Sequence, residues 1–369
     1  MRDQAPELPI IVQHSFGVLG SGGPIGALTR VLNSDLAQQF DFHHVAQTRP
    51  ARGVNIPLIW SMAREMRNAR AQLAHIRGLG NEGFHGVVAA RLARIPHVLV
   101  SVHGSQRDLV HSAGGKIRPF IVGRLLEPLT LRLADAVVAV CEQGLDRPEI
   151  RRVSRKIRGV VPNGVELPSL TDRRSAAIRT ELGIGVDEVA VVIVARVVRD
   201  KGHFELIEAL AELELDARRP RMHLLVVGDG PDLPAVRAAG ANLSATTVHL
   251  LGMRDDVGEV LSGSDIFAMP SYHEGMSNAL LEAMAHGLPV VTTSVGGSTE
   301  VVSKGGGTLV AAQSVDELAR ALADMIDDPR SRVRSGAAAR GVIERNYTTG
   351  HMTRALRGVY EAILAGGGR

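Results

Sequence analysis

Cysteine is almost missing from this sequence. Cys141 stands alone in 369 residues, which excludes an internal disulfide framework and a thiolate zinc cluster. It follows the apolar run 136–140 and reads as a buried thiol. Aromatic residues make up only 3%, so the core must rest on Val, Leu, Ile and Ala, a mix that suits buried parallel strands flanked by helices. Long hydrophobic runs are lacking too, and the longest, such as Val189–Ala195, are strand-sized. The first residues carry Asp3 and Glu7 without an apolar stretch and do not read as a signal peptide. No Asp-x-Asp element offers carboxylates to a metal, and His43, His44, His85 and His111 are not at metal-ligand spacings. The expectation is a cytoplasmic protein with no metal and no other cofactor.

At this length two domains are expected. The net charge of +3 hides an asymmetry: residues 1–165 hold 21 Lys+Arg and 12 Asp+Glu, whereas the remainder holds 21 and 27. A basic first half is compatible with an anionic partner, and equally with scattered solvated arginines.

The first half opens with the apolar segment Pro9–Val12, a glycine-rich turn over 17–26 and a helical pattern in Ala27, Leu28, Val31, Leu32 and Leu36. Strands are expected at Val98–Val102, Ala136–Val140 and Ile157–Val161, with helices over Leu58–Ile76 and Phe120–Leu133. After the turn at Pro162-Asn163-Gly164 the alternation restarts. Strands are expected at Val189–Val194, His223–Val227, Thr247–Leu250, Ile266–Met269, Val290–Thr293 and Thr308–Val310, and helices at Phe204–Leu215, Asn278–His286 and Met352–Leu364. Such alternation implies a doubly wound parallel sheet in each half.

Chemistry concentrates in 272–284. Glu274 and Glu282 lie eight residues apart, with a helix starting near Asn278 just past an expected strand end. Free N–H groups over 276–279, with the helix dipole behind them, suit a diphosphate. Two glutamates alone are as readily an acidic helix cap. Arg196 and Lys201 sit in another loop that leaves a strand and enters a helix, where cations can meet a phosphate or simply be solvated.

Taken together, Glu274 to Glu282, the Arg196–Gly202 loop, Gly228-Asp229-Gly230-Pro231 and Val295-Gly296-Gly297 before Glu300 resemble family-4 retaining glycosyltransferases. Asn163-Gly164-Val165 and the Gly22-Gly23 pair fit as well. The resemblance spans nearly the whole chain and is thinnest in the first domain, where no acidic residue comes soon after the glycines. It implies a GT-B fold: an N-terminal Rossmann-like acceptor domain over 1–165, completed by a C-terminal helix at about 346–369, and a Rossmann-like donor domain over 166–345, with the active site in the cleft. It further implies that Arg196 and Lys201 contact the donor diphosphate, that Glu274 contacts the transferred sugar, and that His103 lies close to the reacting sugar. Gly22, Gly23, Gly275, Met276, Ser277 and Asn278 would approach donor phosphate and sugar, and Glu282 the ribose.

The activity so implied is metal-independent transfer, with retention, from a UDP- or GDP-sugar to a glycan, lipid-linked or small-molecule acceptor, as in polysaccharide biosynthesis. The alternatives are a sugar-nucleotide isomerase or epimerase of the same fold and a catalytically silent partner subunit. No nucleic-acid partner is expected. Peripheral membrane attachment is an open expectation, resting on Leu58, Ile59, Met62, Met66, Leu73 and Ile76 at helical spacing beside Arg64, Arg67 and Arg70, and on six basic residues over 147–158.

Overall fold

A computed structural model describes residues 8–17, 23–48, 50–51, 53–104, 122–169 and 176–366. The chain divides into two compact units, Met1–Gly164 with Thr349–Arg369, and Val165–Thr348. Each is built on a six-stranded parallel sheet with helices on its faces, so both are Rossmann-like.

Unit 1 carries β1 (Ile10–Phe16), β2 (Asp41–Gln47), β3 (Leu73–Arg77), β4 (His97–Val102), β5 (Ala136–Ala139) and β6 (Ile157–Val160), in the order β2-β1-β3-β4-β5-β6. One face packs Ile59, Met62 and Met66 of the helix Ile56–Asn68 and Val87 and Ala90 of the helix Asn81–Leu92 against β1, β3 and β4. The other face buries Leu36, Phe40, Leu99 and Val138 against Met352, Leu356 and Tyr360 of the helix Thr349–Ala365. Tyr360 is fully buried and meets Phe40 edge-on at 5.4 Å. Burying such a side chain stabilises by roughly 1.5–3 kcal/mol, so this late helix is part of the core of unit 1.

Unit 2 carries β7 (Val189–Val194), β8 (Met222–Val227), β9 (Thr247–Gly252), β10 (Ile266–Met269), β11 (Val290–Thr293) and β12 (Gly307–Val310), in the order β12-β11-β10-β7-β8-β9. The run Val-Ala-Val-Val-Ile-Val of β7 is buried nearly throughout, as a central strand covered on both faces requires. In both sheets the order reverses once, between β1 and β3 and between β7 and β10. Open α/β sheets bind ligands beyond the carboxyl ends of strands at such a point.

Several sequence expectations need correction. The single helix over Leu58–Ile76 is two elements: a helix that ends at Asn68 and strand β3, so Leu73 and Ile76 are buried in the sheet and not on a helix face. Arg70 adopts a left-handed backbone (φ 52°) at the turn between them. Within Phe120–Leu133, a π-helical turn Val122–Leu126 precedes the helix Glu127–Leu133, and residues 120 and 121 lie outside the described residues. Strands β2 and β3 and the helix Asn81–Leu92 were not foreseen.

Candidate active site

In unit 2 the loops after β7 and β10 meet at the switch point. Lys201 Nζ donates to Glu274 Oε1 at 2.6 Å, with the two side chains only 17% and 12% exposed. The surrounding residues join the loops along their length. Tyr272 donates from its backbone N–H to the Asp200 carbonyl at 2.9 Å and from its hydroxyl to Glu205 Oε1 at 2.6 Å. Burial first, and the Glu205 carboxylate second, push the Tyr272 hydroxyl up to about 12, so it remains a donor. Arg199 also donates to Glu205 Oε1, at 2.9 Å. Gly202 sits in the left-handed region (φ 75°), and a Cβ there would collide with the Pro270 carbonyl. His203 is buried beside this loop, and burial, with the Lys201 charge second, lowers its pKa to about 4.

The segment after Glu274 is equally constrained. Ser277 caps the helix Asn278–Ala285 by accepting from the Leu280 N–H, which fixes the direction of the first turn. Gly275 and Met276 precede the cap, Asn278 opens the helix buried, and Glu282 lies partly buried one turn in. Gly297 N–H donates to the Gly275 carbonyl at 2.5 Å. Gly296 (φ 51°) lies so close to the Glu274 carbonyl that no Cβ could fit. The Gly296-Gly297 pair is therefore a backbone clamp on residues 274–276.

Arg196 is exposed on the β7 loop, and its side chain makes no hydrogen bond or ion pair among the described residues. Lys201, Glu274, Gly275, Met276, Ser277, Asn278 and Glu282 thus fall on two facing segments of unit 2. Gly23, which opens the helix Gly23–Leu32, and His103, just past β4, belong to unit 1. Gly22 lies outside the described residues, as does His111. His85 is packed, accepting at Nε2 from the Asn55 N–H and donating from Nδ1 to the Asn81 carbonyl. Among the described residues no group of three or more His, Cys, Asp or Glu side chains could hold a metal ion. Asp200, Glu205 and Tyr272 were not singled out from the sequence. Their only signal was position, inside or beside segments chosen for other residues.

Residues 29–168 match the Glycosyltransferase Family 4 profile and residues 188–328 the Glycosyl transferases group 1 profile. The 2-deoxystreptamine glucosyltransferase of Streptomyces kanamyceticus is 31% identical over 76% of this chain and 74% of its own length. This chain belongs to the family-4 glycosyltransferases. A Corynebacterium glutamicum relative, a GDP-mannose-dependent monoacylated alpha-(1-6)-phosphatidylinositol monomannoside mannosyltransferase, is 32% identical over 51% of this chain. The chain spans about half the length of that relative, 52%. Among solved structures, Anabaena HepE in complex with UDP and glucose superposes with a TM-score of 0.76 at 17% identity, over 96% of this chain and 100% of that one. That likeness establishes the GT-B fold for this family-4 chain.

Proposed function

We propose that the chain transfers a sugar, with retention and without a metal, from a nucleoside-diphosphate donor to a glycan, lipid-linked or small-molecule acceptor. The observation that carries this reading is the Lys201–Glu274 pair at the β7/β10 switch point, set beside the capped first turn of the helix Asn278–Ala285. Lys201, the exposed Arg196 and the positive end of the helix that starts at Asn278 gather positive potential where a diphosphate leaves. Glu274 then faces the sugar and Glu282 the ribose. Negative charge grows on the departing diphosphate as the transition state forms, and the leaving phosphate is itself the base for a front-face attack.

UDP and GDP are the expected donor nucleotides. A thermal-shift panel of UDP, GDP, ADP and TDP tests this, because a ligand at about a hundred times its dissociation constant stabilises by roughly 2.7 kcal/mol. No shift with any of them would remove the donor site. Product analysis with and without acceptor separates transfer from an isomerase and from a silent subunit. Activity should survive EDTA, and loss on chelation restored by Mg²⁺ would overturn metal independence.

Attachment to an anionic membrane surface is proposed on a partly different set of residues. No described helix is long and apolar enough to cross a membrane. Val54, Ile56 and Trp60, the chain's single tryptophan, are 61%, 61% and 55% exposed at or just before the start of the helix Ile56–Asn68, with Arg64 exposed further along it and Arg67 held by the Leu92 carbonyl at 2.6 Å. Apolar residues and an exposed indole beside arginines suit the headgroup region. Lys156 does not contribute, since its ammonium donates to the carbonyls of Leu131, Arg132 and Ala134. Salt-sensitive flotation with anionic vesicles, lost in a Trp60→Ser variant, is the expected result. Equal recovery with neutral vesicles would reject it.

A further inference from the structure

Unit 1 contains a buried positive charge that no acidic group answers. Arg77 ends β3 at 9% exposure, and its guanidinium donates from Nη1 to Gln13 Oε1 at 2.7 Å. No Asp or Glu pairs with it among the described residues. Its neighbours are neutral, and their hydrogen bonds show why. Gln13 Nε2 donates to the Tyr360 hydroxyl oxygen at 2.8 Å, which leaves the Tyr360 proton for His75 Nδ1 at 2.7 Å. His75 must then carry its single proton on Nε2, which donates to Ser101 Oγ at 2.5 Å. Burial, and Arg77 second, hold the His75 pKa well below 6.5, while burial raises Tyr360 to about 12, so neither supplies a charge. An arginine taken out of water without a partner is costly, and proteins keep such a group where something else completes it.

What could complete it has a place to sit. A cavity of about 30 Å³ at the carboxyl ends of β3 and β4 is lined by His75, Arg77, Ser101, His103, Val140 and Asn163. His103 Nε2 is shielded from solvent there and has no hydrogen-bond partner among the described residues. The space equals roughly two or three water-sized spheres, too little for a sugar ring but enough for the oxygens of one anionic group. A guanidinium fork matches a phosphate or carboxylate in charge and in shape.

We propose that Arg77, with Ser101 and His103 beside it, seats an oxyanion carried by the acceptor, a phosphate or a carboxylate on the molecule to be glycosylated. That the ligand is the acceptor rests on the glycosyltransferase reading, whereas the anion site stands on unit 1 alone. The donor diphosphate already has its own cations, Arg196 and Lys201, in unit 2.

The test is calorimetric titration of the full chain, its donor site first saturated with UDP or GDP, using glucose 6-phosphate, glucuronate and glucose. Either charged sugar should bind and glucose should not, and which of the two binds tells phosphate from carboxylate. R77Q keeps a donor for Gln13 and should weaken that binding by about tenfold or more, while R77K retains part of it. Without ligand, R77Q should melt no lower than the wild type, because it removes a desolvated charge. Three results would overturn the proposal: no binding of either charged sugar to the wild type, unchanged binding to R77Q, or loss of nucleotide binding in R77Q. Nucleotide binding that persists while the charged sugars fail would sink this site and leave the donor reading intact.

Discussion

The Lys201–Glu274 pair combines a structural and a chemical role, and the two can be separated. Each partner is largely buried, so removing one strands the other. Lys201→Met or Glu274→Gln alone should cost about 1–3 kcal/mol in chemical denaturation, and the double variant less than the sum of the two. Turnover should not follow that pattern. On the proposed reading all three variants should lose at least about a hundredfold in kcat, because Lys201 is the cation proposed to meet the leaving diphosphate and Glu274 the carboxylate proposed to face the sugar, whatever happens to the fold. Recovery of activity in the double variant would reduce Lys201 to a fold-stabilising role. Arg196→Ala should lower kcat with little change in melting, since its exposed side chain holds nothing in place. These residues were legible in the sequence because charge at a strand-to-helix loop is conspicuous. Arg77 was not, because a lone arginine after Ala-His-Ile resembles the end of a helix.

Elements were legible where their residues were uniformly apolar and hidden where they were not. β7, β10 and β11 match the expected bounds to the residue, the first two short apolar runs and the third Val-Val-Thr-Thr, each buried nearly throughout. β2 and β3 escaped because His43, His44, His75 and Arg77 interrupt the hydrophobic pattern. In β3 the interrupting side chains belong to the hydrogen-bonded network around the cavity, so polar groups set for ligand or network concealed the strand that holds them. Two glycines test how closely elements approach. Gly296→Ala would drive a Cβ into the Glu274 carbonyl from a left-handed backbone, and should lower stability by about 2 kcal/mol or more and weaken nucleotide binding. Gly358 faces open space on the helix Thr349–Ala365, and Gly358→Ala should instead stabilise by roughly 0.5–1 kcal/mol. Paired melting curves of the two variants decide the matter, and similar shifts of one sign would show the glycine clamp to be ordinary packing.

At the scale of the whole molecule, stability should depend on pH through histidines held neutral in both units. His14 in unit 1 and His203 in unit 2 are lowered to about 4, in each case chiefly by burial. In the unfolded chain both take a proton near 6.5, which the folded chain refuses until about 4. Their stabilising contribution is therefore complete above pH 6.5 and is lost as pH falls through that window, by up to about 1.4 kcal/mol per unit for each. Guanidinium midpoints at pH 7 and pH 5 should differ accordingly, and His203→Gln should flatten the change in unit 2. The chain path has a different consequence. Val165 N–H donates to the Tyr347 carbonyl at 2.9 Å and Val165 bridges Thr348, so the two ends of Val165–Thr348 lie side by side. Unit 2 is thus an insertion within unit 1, and its sequence is finished while unit 1 still lacks the helix that brings Tyr360. On the ribosome the second sheet can close before the first, whose core must wait, half open, for residues synthesised after all of unit 2.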